Sequence, residues 1–323
     1  MMIPDQVEGV PPVVEVRGLT KAYGSVEALR GIDFSIPSGE VVGFLGPNGA
    51  GKTTAIKILT GFLAADSGSA RICGLDVETH PLEVKAKVGY LPENNPLYLD
   101  MRVGDYLTFA WKARGGEGAA SEALDRAVVQ TGLQQVFHRF LGECSKGFRQ
   151  RAGIAQALLH DPELLLLDEP TNGLDPLQVV EIRNLILELG RTKTVLLTTH
   201  VLSEVEALAE KVVLIHEGRK VADGSLDSIA GGEGPLQVHL GIRGTKEELK
   251  GLVEQAGAAW VSSRPRPFGD EGCCACSAEV SGPAGIEALA SQAASLKLAL
   301  VELAPQGGGL ETLFRKLAGG GRT

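Results

Sequence analysis

The sequence lacks a hydrophobic run long enough to cross a membrane. A membrane-spanning helix needs roughly 18 apolar residues in succession, whereas the most apolar runs, such as Leu164 to Leu167, end within a few residues at charged side chains. Met1 to Gly9 has neither the basic start nor the apolar core of a secretion signal. We therefore expect a chain that does not span the bilayer by itself and that resides in the cytoplasm.

The sequence also lacks an excess of positive charge. Its 31 Lys and Arg residues are outnumbered by 40 Asp and Glu residues, which gives a formal net charge of -9. Binding to nucleic acid without sequence preference depends on neutralising phosphates. This charge balance therefore argues against a nucleic acid partner, although it leaves room for a local basic patch.

The chain has only five cysteines, an odd number. An odd count in a chain without an export signal argues against a disulfide framework. The run Cys273-Cys274-Ala275-Cys276 could bind a soft metal, but no Cys or His lies nearby at zinc-finger spacing to act as a fourth ligand. The alternative, which we favour, is three ordinary thiols in a strand or loop.

The chain has an apolar content of 44%, enough for a full core. Over residues 1–230 the apolar residues follow two patterns. Alternation at Val14, Val16 and Leu19, and then over Leu29 to Ile36, predicts an antiparallel sheet. Continuous apolar runs that alternate with helical patterns predict an α/β class domain with a parallel sheet covered by helices. A helical insert is expected at about residues 101–160. The buried strands are predicted at Val41–Leu45, Leu164–Leu167, Val195–Thr198 and Val212–Ile215.

A second, smaller α+β domain is expected over residues 235–323. The sequence Gly-Gly-Glu-Gly-Pro at 231–235 predicts a linker before it. Beyond the linker the pattern indicates strand, helix, strand, strand, helix and strand, the order of a ferredoxin-like split unit. A last helix is predicted at Leu310–Leu317, with its apolar residues on one stripe. The other elements are predicted at 236–242, 246–256, 258–263, 275–280, 285–295 and 298–303.

Residues Gly46 to Thr53 follow the phosphate-loop pattern G-x-x-x-x-G-K-[ST], between a predicted buried strand and a helix. Glycines let the backbone turn its N–H groups, together with the helix N-terminus, toward one anionic group. In this pattern Lys52 reaches the β- and γ-phosphates and the Thr53 hydroxyl binds Mg²⁺. The alternative is a glycine-rich turn with a solvated lysine, which does not require the strand and helix on either side.

Asp168 and Glu169 follow the predicted strand Leu164–Leu167 directly. In a parallel sheet this strand end lies near the phosphate loop. One carboxylate could hold a metal through water while the other polarises an attacking water. Alone, Asp-Glu-Pro is also a common way to end a strand, and only its pairing with Lys52 makes the functional interpretation strong.

These motifs together resemble the nucleotide-binding subunit of an ATP-binding cassette (ABC) transporter. The resemblance covers residues 13–229 and implies a phosphate-loop cassette that hydrolyses ATP with Mg²⁺. The matching segments are Tyr23 for the aromatic residue that stacks on adenine, Gly46 to Thr54 for the phosphate loop, Gly89 to Glu93 for the glutamine loop, Cys144 to Phe148 for the signature, Leu164 to Glu169 for Walker B, Gly173 to Pro176 for the loop after it and His200 for the switch histidine.

The resemblance implies a role for each matching residue. Catalysis is assigned to Glu169, His200 and Lys52, and metal binding to Thr53, Glu93 and Asp168. Ser145 and Gly147 are implied to contact the nucleotide held by a partner subunit. The other nucleotide contacts are implied at Tyr23, Gly46, Pro47, Asn48, Gly49, Ala50, Gly51, Lys52, Thr53 and Thr54.

Three of these residues could also have a purely structural role. Tyr23 could be a surface aromatic residue in a strand turn. His200 could cap the helix predicted at Val201, although its place after two threonines at a strand end favours contact with the γ-phosphate. Ser145 could be only the N-cap of its helix, but in the family that capping geometry is itself part of the nucleotide contact.

The sequence departs from the family pattern at two places. The signature is usually L-S-G-G-Q, and here Cys144, Lys146 and Phe148 replace three of its five residues while Ser145 and Gly147 remain. At the glutamine loop the chain has Glu93, which adds a charge and loses an amide donor. The coupling role of Glu93 is therefore the weakest of the implied roles.

The narrower resemblance is to exporters with separate ATPase and permease chains, especially the ATPase of the gliding-motility-associated ABC exporter. It is carried by Tyr90 to Tyr98, by Ser145 to Arg151 and by the ending Leu310 to Phe314. It implies a homodimer that sandwiches two ATP molecules and sits on the inner face of the cell membrane through its permease. One alternative is a soluble ABC ATPase that acts on a ribosome or DNA. Another is a regulator that binds ATP without hydrolysing it, and the presence of Glu169 and His200 argues against that function.

Overall fold

The computed structural model describes residues 11–116, 120–230, 236–265 and 272–305. It divides into two compact units, Met1–Ser225 and Leu226–Thr323. The predicted boundary at residue 230 falls shortly after this division. The predicted linker at 231–235 and the predicted helix Leu310–Leu317 lie outside the described residues.

The first unit contains ten strands and seven α-helices in its described part. Its strands are β1 (Val14–Tyr23), β2 (Val26–Ile36), β3 (Val41–Leu45), β4 (Ser67–Ile72), β5 (Leu75–Asp76), β6 (Val88–Leu91), β7 (Leu164–Asp168), β8 (Thr194–Thr199), β9 (Lys211–His216) and β10 (Arg219–Ser225). Its helices are α1 (Lys52–Leu59), α2 (Pro81–Lys87), α3 (Val103–Ala113), α4 (Ala120–Thr131), α5 (Lys146–Leu158), α6 (Pro176–Gly190) and α7 (Leu202–Leu208).

The central sheet of this unit has the strand order β10-β9-β3-β8-β7-β6. Five of its strands are mutually parallel, and β10 pairs antiparallel with β9 at the edge. Every residue of β3, β7 and β8 is buried, as expected for parallel strands covered on both faces. The predicted parallel-sheet core is therefore confirmed.

A second sheet, in the order β2-β1-β4-β5, is antiparallel. The alternation that predicted it is visible in the burial of Val14, Leu19, Ile32 and Ile36, which are all fully buried. Helices α3, α4 and α5, with 3-10 turns at Gln134–Val136 and Leu141–Glu143, occupy the region of the predicted helical insert. Their apolar faces share one core, which includes Leu107 and Ala127.

The second unit begins with the short helix α8 (Leu226–Ala230). It continues with β11 (Leu236–Arg243), α9 (Lys246–Gln255), β12 (Ala259–Arg264), β13 (Cys273–Val280), α10 (Gly282–Ser295) and β14 (Ala299–Pro305). The antiparallel sheet has the order β12-β13-β11-β14. This is the ferredoxin-like split unit predicted from the sequence.

The three clustered cysteines lie in β13. Cys273 and Cys276 are buried, and the Sγ of Cys274 lies 3.1 Å from the carbonyl oxygen of Thr245, to which it donates. Burial raises the pKa of the Cys276 thiol to about 11, which disfavours the thiolate that a soft metal requires. Within the described ranges, no group of three or more His, Cys, Asp and Glu side chains is arranged to hold a metal ion.

Candidate active site

The phosphate loop runs from the end of β3 to the start of α1, and two of its glycines are required by the space around them. A Cβ on Gly46 would lie 2.3 Å from the carbonyl oxygen of Ile215. Gly51, the N-cap of α1, has φ +107°, and a Cβ there would lie 2.4 Å from the carbonyl oxygen of Ala28. The loop can therefore wrap closely over the strand end only with glycine at these positions.

Lys52 is buried beneath this loop, with 6% of the residue exposed. Its Nζ donates to the carbonyl oxygen of Gly46 at 2.7 Å and to that of Pro47 at 3.3 Å, and it lies 3.6 Å from Oε1 of Glu169. Burial lowers the pKa of Lys52, and the neighbouring carboxylates, Glu169 first, oppose that shift. The ammonium group is thus held at the base of the loop.

Asp168 ends β7 and is almost fully buried, at 1% exposure. Its Oδ1 accepts a hydrogen bond of 2.5 Å from Oγ1 of Thr198 on the neighbouring strand β8. Burial raises the pKa of Asp168, while the hydroxyls of Thr198 and Thr53 and the charge of Lys52 oppose the shift. The contact with Thr53 brings together two of the predicted metal ligands, one from the start of α1 and one from the end of β7.

Glu169 has an unusual backbone. Its φ is +49°, in the left-handed region that costs a residue with a side chain about 1 kcal/mol or more. The conformation is fixed by its N–H, which donates to the carbonyl oxygen and to Oγ1 of Thr198 at 3.2 and 3.0 Å. Strain of this kind is a mark of functional positions, and here it turns the carboxylate toward Lys52 and His200.

His200 follows the last residue of β8. Its Nδ1 lies 3.1 Å from Oε1 and 3.0 Å from Oε2 of Glu169, and its side chain is 41% exposed. The carboxylate is buried while the imidazole reaches solvent. Glu169 therefore lies inside the subunit, whereas His200 is accessible to a group that enters from solvent.

An open cleft of about 450 Å³ lies over these groups. The predicted site residues Asp168, Gly46 and Pro47 are not among the residues that line it. Asn172 and Ala28 also line it, and the sequence patterns did not single them out. The predicted site residues that line it are Tyr23, Asn48, Gly49, Ala50, Gly51, Lys52, Thr53, Thr54, Glu93, Glu169 and His200.

Ser145 and Gly147, the two residues predicted to contact the nucleotide of a partner subunit, are also not brought to this cleft. Ser145 is the exposed N-cap of α5, and its Oγ accepts a hydrogen bond from the N–H of Phe148 at 3.3 Å. Gly147 is buried in the first turn of α5, where a Cβ would lie 3.0 Å from the side chain of Gln178. Neither is among the residues that line the cleft.

Asn172 is hydrogen-bonded to Lys146 and to Glu93, which lie at the two places where the sequence departs from the family pattern. Its carbonyl oxygen accepts a hydrogen bond of 2.8 Å from Nζ of Lys146, and its Nδ2 donates to Oε1 of Glu93 at 3.2 Å. The charge of Lys146 is therefore directed to the loop after β7 within its own subunit. Glu93 keeps an oxygen at the rim of the cleft.

A phosphate loop at a helix N-terminus, with an Asp-Glu pair at the end of β7, a parallel strand separated from β3 only by β8, defines a phosphate-loop nucleoside triphosphatase. The sequence model of the family described as ABC transporter matches residues 29–172. Within the described ranges, no helix has the length and apolar character to cross a membrane.

The comparisons with individual proteins narrow the class. The uncharacterized ABC transporter ATP-binding protein YdbJ of Bacillus subtilis (strain 168) is 41% identical over 222 residues, which cover 67% of this chain and 70% of that protein. Nod factor export ATP-binding protein I of Paraburkholderia xenovorans (strain LB400) is 35% identical over 257 residues, covering 75% and 82%. A solved structure titled "Structure of ATP binding subunit of ABC transporter" is 32% identical, with a TM-score of 0.60, and covers 67% of this chain and 91% of that one.

The chain belongs to the ATP-binding subunits of ABC transporters, and it is an ATP-binding, ATP-hydrolysing enzyme of that family. The ABC resemblance inferred from the motifs is thereby confirmed. The narrower resemblance to the gliding-motility-associated exporters stays a prediction.

Proposed function

We propose that this chain powers an exporter through a separate membrane permease, and that two copies hydrolyse ATP at sites they share. The observation that carries the proposal of shared sites is the division of the site. Residues of the phosphate loop, Glu93, Glu169 and His200 line one cleft, whereas Ser145 and Gly147 lie at the start of α5 and are not among its lining residues. A second copy of the chain would supply the missing pair.

Within one subunit, Lys52 and the N–H groups of the loop bind the β- and γ-phosphates. The ammonium group now donates to Gly46 and Pro47, so phosphate oxygens would replace backbone carbonyls as its acceptors. Tyr23, which is 49% exposed, offers its ring for stacking on adenine. These residues hold ATP with its γ-phosphate facing Glu169.

Glu169 is the proposed general base. It accepts a proton from water as the water oxygen forms a bond to the γ-phosphorus. The bond from that phosphorus to the β–γ bridging oxygen breaks, and its electron pair leaves with ADP. His200 contacts the γ-phosphate and, through Nδ1, holds the carboxylate of Glu169 in place.

Thr53, Asp168 and Glu93 offer only oxygen donors, a set that fits Mg²⁺. When bound, Mg²⁺ supplies positive charge that neutralises the phosphates. The hydroxyl of Thr53 already contacts Asp168. Asp168 is therefore oriented from both sides, by Thr53 and by Thr198.

The transport direction and the membrane partner rest on similarity. One relative is named for Nod factor export, and export is what we propose here. The permease is proposed to be a separate chain, as the narrower resemblance of the motifs implies. Docked to it, the ATPase dimer would sit on the inner face of the cell membrane.

A complementation experiment tests the shared site. Ser145→Ala, which removes the hydroxyl without adding bulk to the shared surface, and Glu169→Gln are each expected to abolish hydrolysis when assayed alone. In a mixture, half of the dimers contain one of each, and every such dimer has one site with an intact Glu169 and an intact partner Ser145. About a quarter of wild-type activity should return. A mixture that stays inactive would contradict the proposal.

A further inference from the structure

Glu204 is a buried carboxylate that the site as described does not use. It lies in the first turn of α7, with 6% of the residue exposed. It does not line the cleft. A buried carboxylate is costly unless its oxygens are hydrogen-bonded, so its partners point to its role.

Both oxygens of Glu204 accept a hydrogen bond from a buried threonine hydroxyl. Oε1 accepts from Oγ1 of Thr171 in a short contact, and Oε2 accepts from Oγ1 of Thr199 at 2.6 Å. The hydroxyl of Thr199 accepts in turn from the N–H of Val201 at 3.0 Å. Hydrogen bonds to an ionised acceptor are roughly twice as strong as those between neutral groups.

The two threonines belong to the two segments that carry the reacting groups. Thr199 immediately precedes His200, and its carbonyl oxygen accepts from the N–H of Gly46 at 3.4 Å. Thr171 comes two residues after Glu169, in a turn closed by a 3.1 Å hydrogen bond from the N–H of Asn172 to the carbonyl oxygen of Glu169. One carboxylate thus links the loop after β7 to the end of β8.

We propose that Glu204 is a positioning residue for ATP hydrolysis. It acts through Thr171 and Thr199 to fix the distance between the carboxylate of Glu169 and the imidazole of His200. This inference rests on the roles proposed above for Glu169 and His200. Because Nζ of Lys52 is held by the carbonyl oxygens of Gly46 and Pro47, and not through the threonine hydroxyls, loss of Glu204 leaves ATP binding in place and slows the chemical step.

The test compares Glu204→Leu with Glu204→Gln. Leucine removes both acceptors, whereas glutamine keeps the length, one acceptor oxygen and a polar partner for the second hydroxyl. We expect kcat to fall about 10- to 10²-fold in Glu204→Leu, as for a small misplacement of reacting groups. The KM for ATP should stay within about two-fold, and Glu204→Gln should recover most of the loss. Glu206→Gln, at an exposed position on the same helix, is the matched control.

The isosteric variants Thr171→Val and Thr199→Val give a second test if Glu204→Leu does not fold. Each removes one hydroxyl without changing shape, and each should lower kcat with KM unchanged. Combined in one chain, Thr171→Val and Thr199→Val should show less than the full product of their separate losses, since both hydroxyls act through Glu204.

A kcat within two-fold of wild type in Glu204→Leu or in both valine variants would overturn the proposal. A rise in the KM for ATP as large as the fall in kcat would also overturn it, and so would a failure of Glu204→Gln to restore kcat. A general loss of structure predicts those outcomes. Glu169→Gln is assayed in parallel. If it retains wild-type hydrolysis, the proposed role of Glu169 fails, and this result is separate from any result for Glu204.

Discussion

The imidazole of His200 faces the carboxylate of Glu169, with Nδ1 3.0 Å from Oε2. The two residues follow neighbouring parallel strands, β7 and β8, whose register pairs Asp168 with Thr198. Parallel strands end at the same edge of a sheet, so this register sets the two side chains next to each other. The left-handed backbone of Glu169 then completes the alignment.

The first prediction concerns Lys52→Ala. The variant should lose measurable ATP binding, because the phosphates lose the buried ammonium at the base of the loop. Isothermal titration calorimetry checks this, with Lys57→Ala, an exposed lysine on the same helix, as control. Affinity within a few-fold of wild type would show that the phosphate loop is wrongly assigned.

The second prediction concerns Glu93, the departure at the glutamine loop. Glu93→Gln keeps an oxygen that can accept from Asn172, so its hydrolysis should stay within about three-fold of wild type. Glu93→Ala removes a proposed oxygen ligand of Mg²⁺ and should need about ten-fold more Mg²⁺ for half-maximal activity, if one ligand contributes about 1.4 kcal/mol. ATPase rates over a Mg²⁺ titration measure both. Equal Mg²⁺ requirements for all three proteins would remove Glu93 from the metal site.

The third prediction concerns pH and stability. His160 lies between α5 and β7, where its Nε2 is 3.0 Å from the carbonyl oxygen of Val88. Burial, followed by the charge of Arg114, lowers its pKa from 6.5 to about 4. The folded state then binds fewer protons than the unfolded state in this range, so stability is lost as the pH falls from about 6.5 to about 4.

The His160→Gln variant should therefore lose less stability on acidification. Between pH 7 and pH 4.5 we expect the wild type to lose on the order of 2 kcal/mol more than the variant. Urea unfolding at the two pH values measures the difference. His80→Gln, at an exposed position, serves as control. Equal losses in wild type and His160→Gln would show that His160 does not carry this pH dependence.

The sequence patterns predicted the central sheet because short continuous apolar runs such as Val41–Leu45 are typical of strands buried on both faces. Strand β4, with the sequence Ser-Gly-Ser-Ala-Arg-Ile, has too few apolar residues to be recognised and is held by its pairing with β1. The edge strand β10 alternates only weakly and depends on β9 in the same way.

The site residues that belong to a sequence motif could be predicted, whereas those that are placed by tertiary contacts could not. Lys52, Glu169 and His200 belong to recognisable patterns. Asn172 became a cleft residue only because the turn after Glu169 points it there. Glu204 is hydrogen-bonded to Thr171, 33 positions earlier in the chain, and to Thr199, five positions earlier. No local sequence pattern reveals these contacts.

The central claim is that a second copy of the chain completes each ATP site. Glu169→Gln keeps size and hydrogen bonding but removes the base, so it should bind ATP, hydrolyse it about 10²- to 10⁴-fold more slowly and stay dimeric around the bound nucleotide. Ser145→Arg should place a bulky cation in the shared surface and prevent that dimer.

Light scattering of Glu169→Gln with ATP and Mg²⁺, alone and with Ser145→Arg added, measures this claim most directly. The account predicts the mass of a dimer for the single variant with ATP, of a monomer without ATP, and of a monomer for the double variant with ATP. A single variant that remains monomeric with ATP bound, or a double variant that dimerises equally well, would contradict it.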